Sequence, residues 1–272
     1  MLVLDFDGTM TDAEAEGGPY REGYLADLAV LCGADLDEVL GLAVGFEEEV
    51  AADPDRYGWV FGGHIVAPAI VDPYLRVMPV ARKVLDHFGV FTSVVERDRL
   101  LDGILYKYNY PKTRNVFRDG AGELLAGFEG QPVYIVTNSH TDAVQAKVTT
   151  LGQDWLVPRV FGRAKKYVLD AGFTDVPESI ELPGLSRPVL LRRRLYFEVL
   201  SMLLDREDAD WSELTVVGDI FELDLCLPWA LGARVGLVVN RFTPTYEKAF
   251  LEADERGFLV EDIRSLSGVL QA

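Results

Sequence analysis

Two cysteines and three histidines are all that the 272 residues offer to a soft metal or a disulfide. Cys32 and Cys226 lie far apart, in no CxxC or CxxH pattern, so neither a zinc site nor a disulfide framework is indicated. Cys32 ends an apolar run, Leu28-Ala29-Val30-Leu31, which predicts a buried structural thiol. No apolar stretch approaches the roughly 18–20 residues that a membrane span needs, so an integral membrane protein is not expected. The start, Met1-Leu2-Val3-Leu4-Asp5, has no basic segment and a short apolar stretch; it does not resemble a signal peptide, and a cytoplasmic protein is expected. Neither a Walker loop nor a GxGxxG fingerprint occurs, so no nucleotide triphosphate or dinucleotide cofactor is implied.

Positive charge is also scarce. Lys and Arg number 26 against 44 Asp and Glu, a net charge of −18. So acidic a chain has little non-specific attraction for nucleic acid or anionic lipid, and neither is expected as a partner. Between Asp12 and Asp55 stand thirteen acidic residues and a single basic one, Arg21, as suits a solvated helical face.

Short apolar runs predict strands covered on both faces: Leu2 to Leu4, Val133 to Val136, Leu214 to Val217, Val235 to Val239 and Phe258 to Val260. Helical patterns lie between the later ones, at Ala143 to Leu151 and Leu195 to Leu204. This alternation predicts an α/β fold, a Rossmann-like doubly wound parallel sheet. Residues 13–117 read as a mainly α-helical insertion, with helices over Glu22 to Leu31, Leu36 to Ala52, Pro73 to His87 and Asp98 to Tyr106. The expected core is then 1–12 with 118–272. Prolines 54, 68 and 111 and the Gly62-Gly63 pair punctuate the insertion.

The chemistry gathers at strand ends. Asp5-Phe6-Asp7-Gly8-Thr9 directly follows the first strand. Residues two apart on extended chain share a face, so Asp5 and Asp7 point together while Phe6 enters packing. Gly8 allows a sharp turn. Two carboxylates held together repel unless a cation joins them, and hard oxygens with room for water and phosphate suit Mg²⁺. Thr137-Asn138-Ser139 follows another strand and precedes a helix, where a hydroxyl and free N–H groups can hold an anion. Gly218-Asp219-Ile220-Phe221-Glu222-Leu223-Asp224 follows a third, adding carboxylates at Asp219 and Asp224.

In these three segments the chain resembles the haloacid dehalogenase (HAD) superfamily of phosphohydrolases. Asp5 to Asp12 looks like its first motif, Val133 to Asn138 its second and Gly218 to Asp224 its fourth. The resemblance implies that the helical insertion is a cap over the active site. It further implies that Asp5 is the nucleophile that becomes an aspartyl phosphate, and that Asp7 is the acid and base. Mg²⁺ would be held by Asp5, the Asp7 backbone carbonyl and Asp219, with Asp224 acting through water. Thr137 would bind the phosphoryl group, Asn138 would fix the loop, and Gly8 would lie at the phosphate site. Dehalogenases of this group lack the second aspartate, because halide leaves without a proton; Asp7 therefore favours phosphoryl transfer.

The third motif departs from the family, which places a lysine or arginine near the start of the helix before the fourth motif. No Lys-Pro is present. Arg193, in Arg192-Arg193-Arg194 after Arg187-Pro188, is the expected residue, with Lys165 and Lys166 in reserve. His64, His87 and His140 carry no clear catalytic signal. The aromatic and basic stretch Tyr106, Lys107, Tyr108, Tyr110, Lys112 and Arg114 suits cap packing or substrate contact. The expected activity is a Mg²⁺-dependent phosphatase acting on a small phosphorylated metabolite. A phosphomutase or phosphotransferase with the same machinery, and a catalytically silent binding protein on the same scaffold, are the alternatives.

Overall fold

The structure, a computed structural model, describes residues 1–108 and 115–268. Of the aromatic and basic stretch, Tyr110, Lys112 and Arg114 lie outside the described residues. Two compact units divide the chain. One is Met1–Asp12, Val60–Ala67 and Phe117–Ala272, and the other is Ala13–Trp59 with Pro68–Val116.

The first unit is built on strands β1 (Leu2–Leu4), β4 (Val133–Val136), β5 (Val160–Phe161), β8 (Thr215–Gly218), β9 (Arg234–Val238) and β10 (Gly257–Val260). They form one sheet in the order β10-β9-β8-β1-β4-β5, every pairing parallel. This is the doubly wound sheet that the apolar runs predict. Successive side chains enter opposite layers. Val3, Tyr134, Val136 and Val216 join one buried cluster, and Leu2, Leu4, Ile135 and Val217 join the other. Helices α7 (Arg194–Glu207), α8 (Cys226–Ala230) and α9 (Thr245–Ala253) supply the first layer through Tyr196, Leu200, Leu227 and Leu251. Helices α5 (Ala121–Gly127) and α6 (Thr141–Thr150) supply the second through Leu124, Leu125, Val144 and Val148. At β1 the chain order reverses, with β4 on one side and β8 on the other, so the carboxyl ends of three strands flank one crevice.

The second unit packs helices α1 (Ala13–Cys32), α2 (Leu36–Ala52), α3 (Pro73–His87) and α4 (Val94–Tyr108) around Tyr20, Tyr24, Leu28, Val39, Val77 and Leu85. Helix α1 starts well before the expected Glu22 and runs through Gly17-Gly18-Pro19. Tertiary packing overrides the local punctuation: a Cβ on Gly17 would lie 2.7 Å from the Pro73 ring, so glycine is what lets α3 approach α1. Cys32 is only partly buried, contrary to expectation, because the last turn of α1 ends at the surface before Gly33. Arg76 is fully buried and donates to Glu14 at 2.6 Å and to the Ile70 carbonyl at 2.9 Å.

Two ribbons interrupt the helical expectation. Strands β2 (Gly58–Phe61) and β3 (His64–Pro68) form a two-stranded sheet around Gly62-Gly63, and β6 (Ser179–Ile180) pairs antiparallel with β7 (Val189–Leu190). Trp59-Val60-Phe61 and Ile65-Val66 on either side of a Gly-Gly turn are a hairpin signal, which helix punctuation had hidden. No helix among the described residues is long and apolar enough to cross a membrane.

Candidate active site

The loop after β1 folds back on itself. Met10 and Thr11 donate their N–H groups to the Phe6 carbonyl at 2.8 and 3.3 Å, and Phe6 is fully buried. Gly8 sits at φ +85°, a conformation costly for other residues. Its N–H donates to Thr11 Oγ1 at 3.1 Å, and its carbonyl accepts from Arg118 Nε and Nη2 at 3.0 and 2.7 Å. Space also demands glycine here, since a Cβ would lie 2.0 Å from Asp219 Oδ2.

This turn brings the Asp5 carboxylate to the ends of the neighbouring strands. Asp5, Asp219 and Asp224 are all buried, each with a carboxylate oxygen within 4.8 Å of the others. Thr9 Oγ1 lies 3.5 Å from both Asp5 Oδ2 and Asp219 Oδ1. Asp224 sits on a π-helical turn, Phe221–Leu225, and accepts from the Ile220 N–H at 3.0 Å. Gly218 makes room for it, since a Cβ there would lie 2.5 Å from Asp224 Cβ.

One ammonium group lies within the cluster. Lys166 Nζ donates to Asp5 Oδ1 at 2.7 Å and to Asp224 Oδ1 at 2.8 Å, and the lysine is 1% exposed. Burial alone would lower its pKa; the carboxylates of Asp224 and Asp5 outweigh that and hold it charged. Asp5 moves the other way. Burial pushes its pKa up from 3.8 to about 8, against the opposing Lys166 charge and with help from Asp224 and Asp7. Three buried carboxylates against one ammonium leave an excess of negative charge. All the available donors are hard oxygens, so the set fits a divalent cation of the Mg²⁺ type.

The second strand end organises Lys166. Thr137 is buried, its N–H donates to the Phe161 carbonyl at 3.0 Å, and its hydroxyl accepts from Ser139 N–H at 3.1 Å. Asn138 Oδ1 accepts from the Lys166 N–H at 2.8 Å, which fixes the loop carrying that lysine. Lys165, by contrast, is exposed, at φ +50°. Reversing direction at Arg163 and Lys165, both left-handed, sends one lysine out and the next inward.

Arg193 is not beside Asp5. The residue expected in the third motif is fully buried, and its guanidinium donates to backbone carbonyls: Leu190 at 3.1 Å, Val66 at 3.1 Å and Lys166. Lys166 takes the position that the arginine was expected to fill. Sequence spacing favoured Arg193 because it immediately precedes α7; the lysine reaches the cluster from an irregular loop 27 residues earlier, which no helix-start pattern marks. The flanking arginines lie elsewhere, Arg192 near the Ala171 carbonyl and Arg194 paired with Asp170, while Arg187 makes a bidentate pair with buried Glu222 at 2.6 and 2.8 Å.

Asp7, expected to point together with Asp5, is not one of the three clustered carboxylates, because the turn at Gly8 ends the extended chain on which that expectation rests. Its Oδ1 accepts from Lys147 Nζ at 2.9 Å, and its side chain is 34% exposed. Lys147 was not foreseen. It lies on α6, and its helical spacing gives no hint that it faces β1. Among the histidines, His140 Nδ1 meets Arg163 Nη2 at 2.9 Å, His87 packs edge-on against Phe46 and Phe88, and His64 is exposed at the start of β3.

The six-stranded parallel sheet and the helices around it match known structures along the whole length of the chain. The fold is the haloacid dehalogenase fold. A haloacid dehalogenase-like protein of unknown function from Agrobacterium tumefaciens aligns over 99% of this chain and 96% of its own, with a TM-score of 0.53 and 15% identity. The Bacillus subtilis protein YfnB, assigned as a HAD-hydrolase and solved bound to magnesium, aligns over 100% of this chain and 98% of its own, with a TM-score of 0.51 and 14% identity. No protein-family model and no curated protein sequence matches the chain. The shared haloacid dehalogenase architecture is thus carried by the fold with little sequence identity.

Proposed function

We propose that the protein is a Mg²⁺-dependent phosphatase that acts on a small phosphorylated metabolite in the cytoplasm. The observation that carries this reading is the ion pair between Lys166 and Asp5 inside a buried group of three carboxylates. A nucleophile for phosphorus must be ionised; burial holds Asp5 towards its neutral form, and Lys166 together with a bound metal would favour the carboxylate. Asp5, Asp219 and the Asp7 backbone carbonyl would hold the metal, with Asp224 behind them. Bound there, Mg²⁺ would neutralise charge on the phosphoryl oxygens. The like-folded B. subtilis protein binds magnesium, which supports the choice of ion.

In the proposed sequence an Asp5 oxygen attacks phosphorus as the ester P–O bond breaks, and Asp7 gives its proton to the departing oxygen. Lys147 Nζ donates to Asp7 Oδ1 at 2.9 Å and so fixes where that side chain lies. Asp7 next takes a proton from water, whose oxygen attacks the phosphorus of the aspartyl phosphate. Breakage of the P–O bond to Asp5 frees inorganic phosphate and restores the carboxylate. Thr137 accepts from Ser139 with its oxygen, which leaves its O–H to donate to a phosphoryl oxygen. Lys166 offers its remaining donor capacity to the same group. Asp7 also argues against dehalogenation, since halide needs no proton.

The test is phosphate release from a panel of phosphometabolites, with Mg²⁺ and with a chelator, for the native chain and Asp5→Asn. Release that requires Mg²⁺ and vanishes in the folded variant is expected. Undiminished release by the variant, or none from the native chain on any substrate, overturns the reading; isomerised product in place of free phosphate identifies a mutase.

A further inference from the structure

Residues Val60–Ala67 group with the sheet-bearing unit, although the chain on either side of them belongs to the helical one. What attaches them is specific. Arg193, fully buried and in no ion pair with a carboxylate among the described residues, donates to the carbonyl of Val66 in the hairpin and to that of Lys166. One planar guanidinium therefore sets the hairpin against the residue whose ammonium touches Asp5. A second attachment lies one residue further along: the Phe61 ring meets that of Tyr167 edge-on, centroids 4.8 Å apart.

A hairpin serving only the core would bury its apolar side chains. This one leaves Val60 59% and Phe61 40% exposed, and the tip stands clear, since a Cβ on Gly62 or Gly63 would meet nothing within 4 Å. Exposed aromatic surface beside a buried charged site is what an organic ligand with a flat face requires. Resting on the phosphatase reading, we propose that the hairpin reads the substrate's leaving group, with Phe61 and Tyr167 as an apolar platform and Arg193 as the positioning residue that fixes it relative to Lys166. The platform selects phosphate esters whose alcohol is aromatic or heteroaromatic over short aliphatic ones.

Steady-state hydrolysis of p-nitrophenyl phosphate, with inorganic phosphate as competitive inhibitor, tests this in the native chain, Phe61→Ala and Phe61→Tyr. Phe61 is exposed enough that its truncation leaves the core intact. A five- to tenfold rise in KM for the aryl ester is expected in Phe61→Ala, with kcat within about twofold and the inhibition constant of phosphate unchanged. Phe61→Tyr should restore the native KM. An unchanged KM in Phe61→Ala, or an equal weakening of phosphate, overturns the platform while leaving the phosphatase reading intact. If the native chain releases phosphate from other esters but not from the aryl one, the platform is likewise overturned; if it releases phosphate from none, the underlying reading falls first.

Discussion

Replacing Lys166 by Met separates the charge of this residue from its volume. The native ammonium lies 2.7 Å from Asp5 and 2.8 Å from Asp224. At an effective dielectric of about 20, unit charges at such separations attract by about 6 kcal/mol per contact. Desolvation cancels much of that gain, and removing one partner of a buried pair costs about 3–5 kcal/mol. In the metal-free protein at pH 8 the variant should therefore melt about 6–20 °C lower. The pH dependence has a definite sign. Asp5 holds its proton up to about pH 8, well above its ordinary value of 3.8, so the folded state binds a proton more tightly than the unfolded one. Stability is then greatest at the acidic end and declines as pH rises through the window from about 4 to 8. Without Lys166 the Asp5 pKa should rise further, so the decline should extend above pH 8, and millimolar Mg²⁺ should recover much of the loss by replacing one cation with another. Calorimetric melts at pH 5 and 8, with and without Mg²⁺, measure this, and phosphate release should be lost in all of them. A variant that melts like the native chain at pH 8 without metal, or that keeps full activity, refutes the placement of Lys166 at the centre of the site.

Two other substitutions probe the same site from different sides. Gly8→Ala puts a methyl group 2.0 Å from Asp219 Oδ2 at φ +85°, so the concentration of Mg²⁺ giving half-maximal activity should rise at least about tenfold; an unchanged requirement would show that Asp219 is not a ligand. Glu247 is fully buried, and burial, reinforced by the Glu222 carboxylate, holds its pKa well above the usual carboxylate range. Because the folded state favours the neutral acid, Glu247→Gln should stabilise by about 1–2 kcal/mol at pH 8 and by less at pH 5, read from thermal melts; a loss of stability at pH 8 would contradict this.

The sequence by itself determined the sheet and the strand-end chemistry. Runs such as Leu2-Val3-Leu4 and Val133-Tyr134-Ile135-Val136 must be covered on both faces, and that requirement is local enough to read from one chain. The same holds for Asp5 and Asp219, the first residues beyond β1 and β8, because a strand end fixes where the next residue lies; Asp7, past the start of the turn, does not join them. Which cation meets Asp5 was a tertiary decision. Lys165 and Lys166 are neighbours of equal charge, and only the left-handed turn at Arg163 and Lys165, with the Asn138 contact, sends the second inward. Arg193 sits where a helix begins, yet its donors are taken up by the carbonyl of nearby Leu190 and by those of two distant segments, at Lys166 and Val66, which no spacing rule encodes. The hairpin at Val60–Ala67 and the contact of Lys147 with Asp7 belong to the same class: each depends on where separate stretches of chain meet after folding, and charge and hydropathy along the chain carry no record of that.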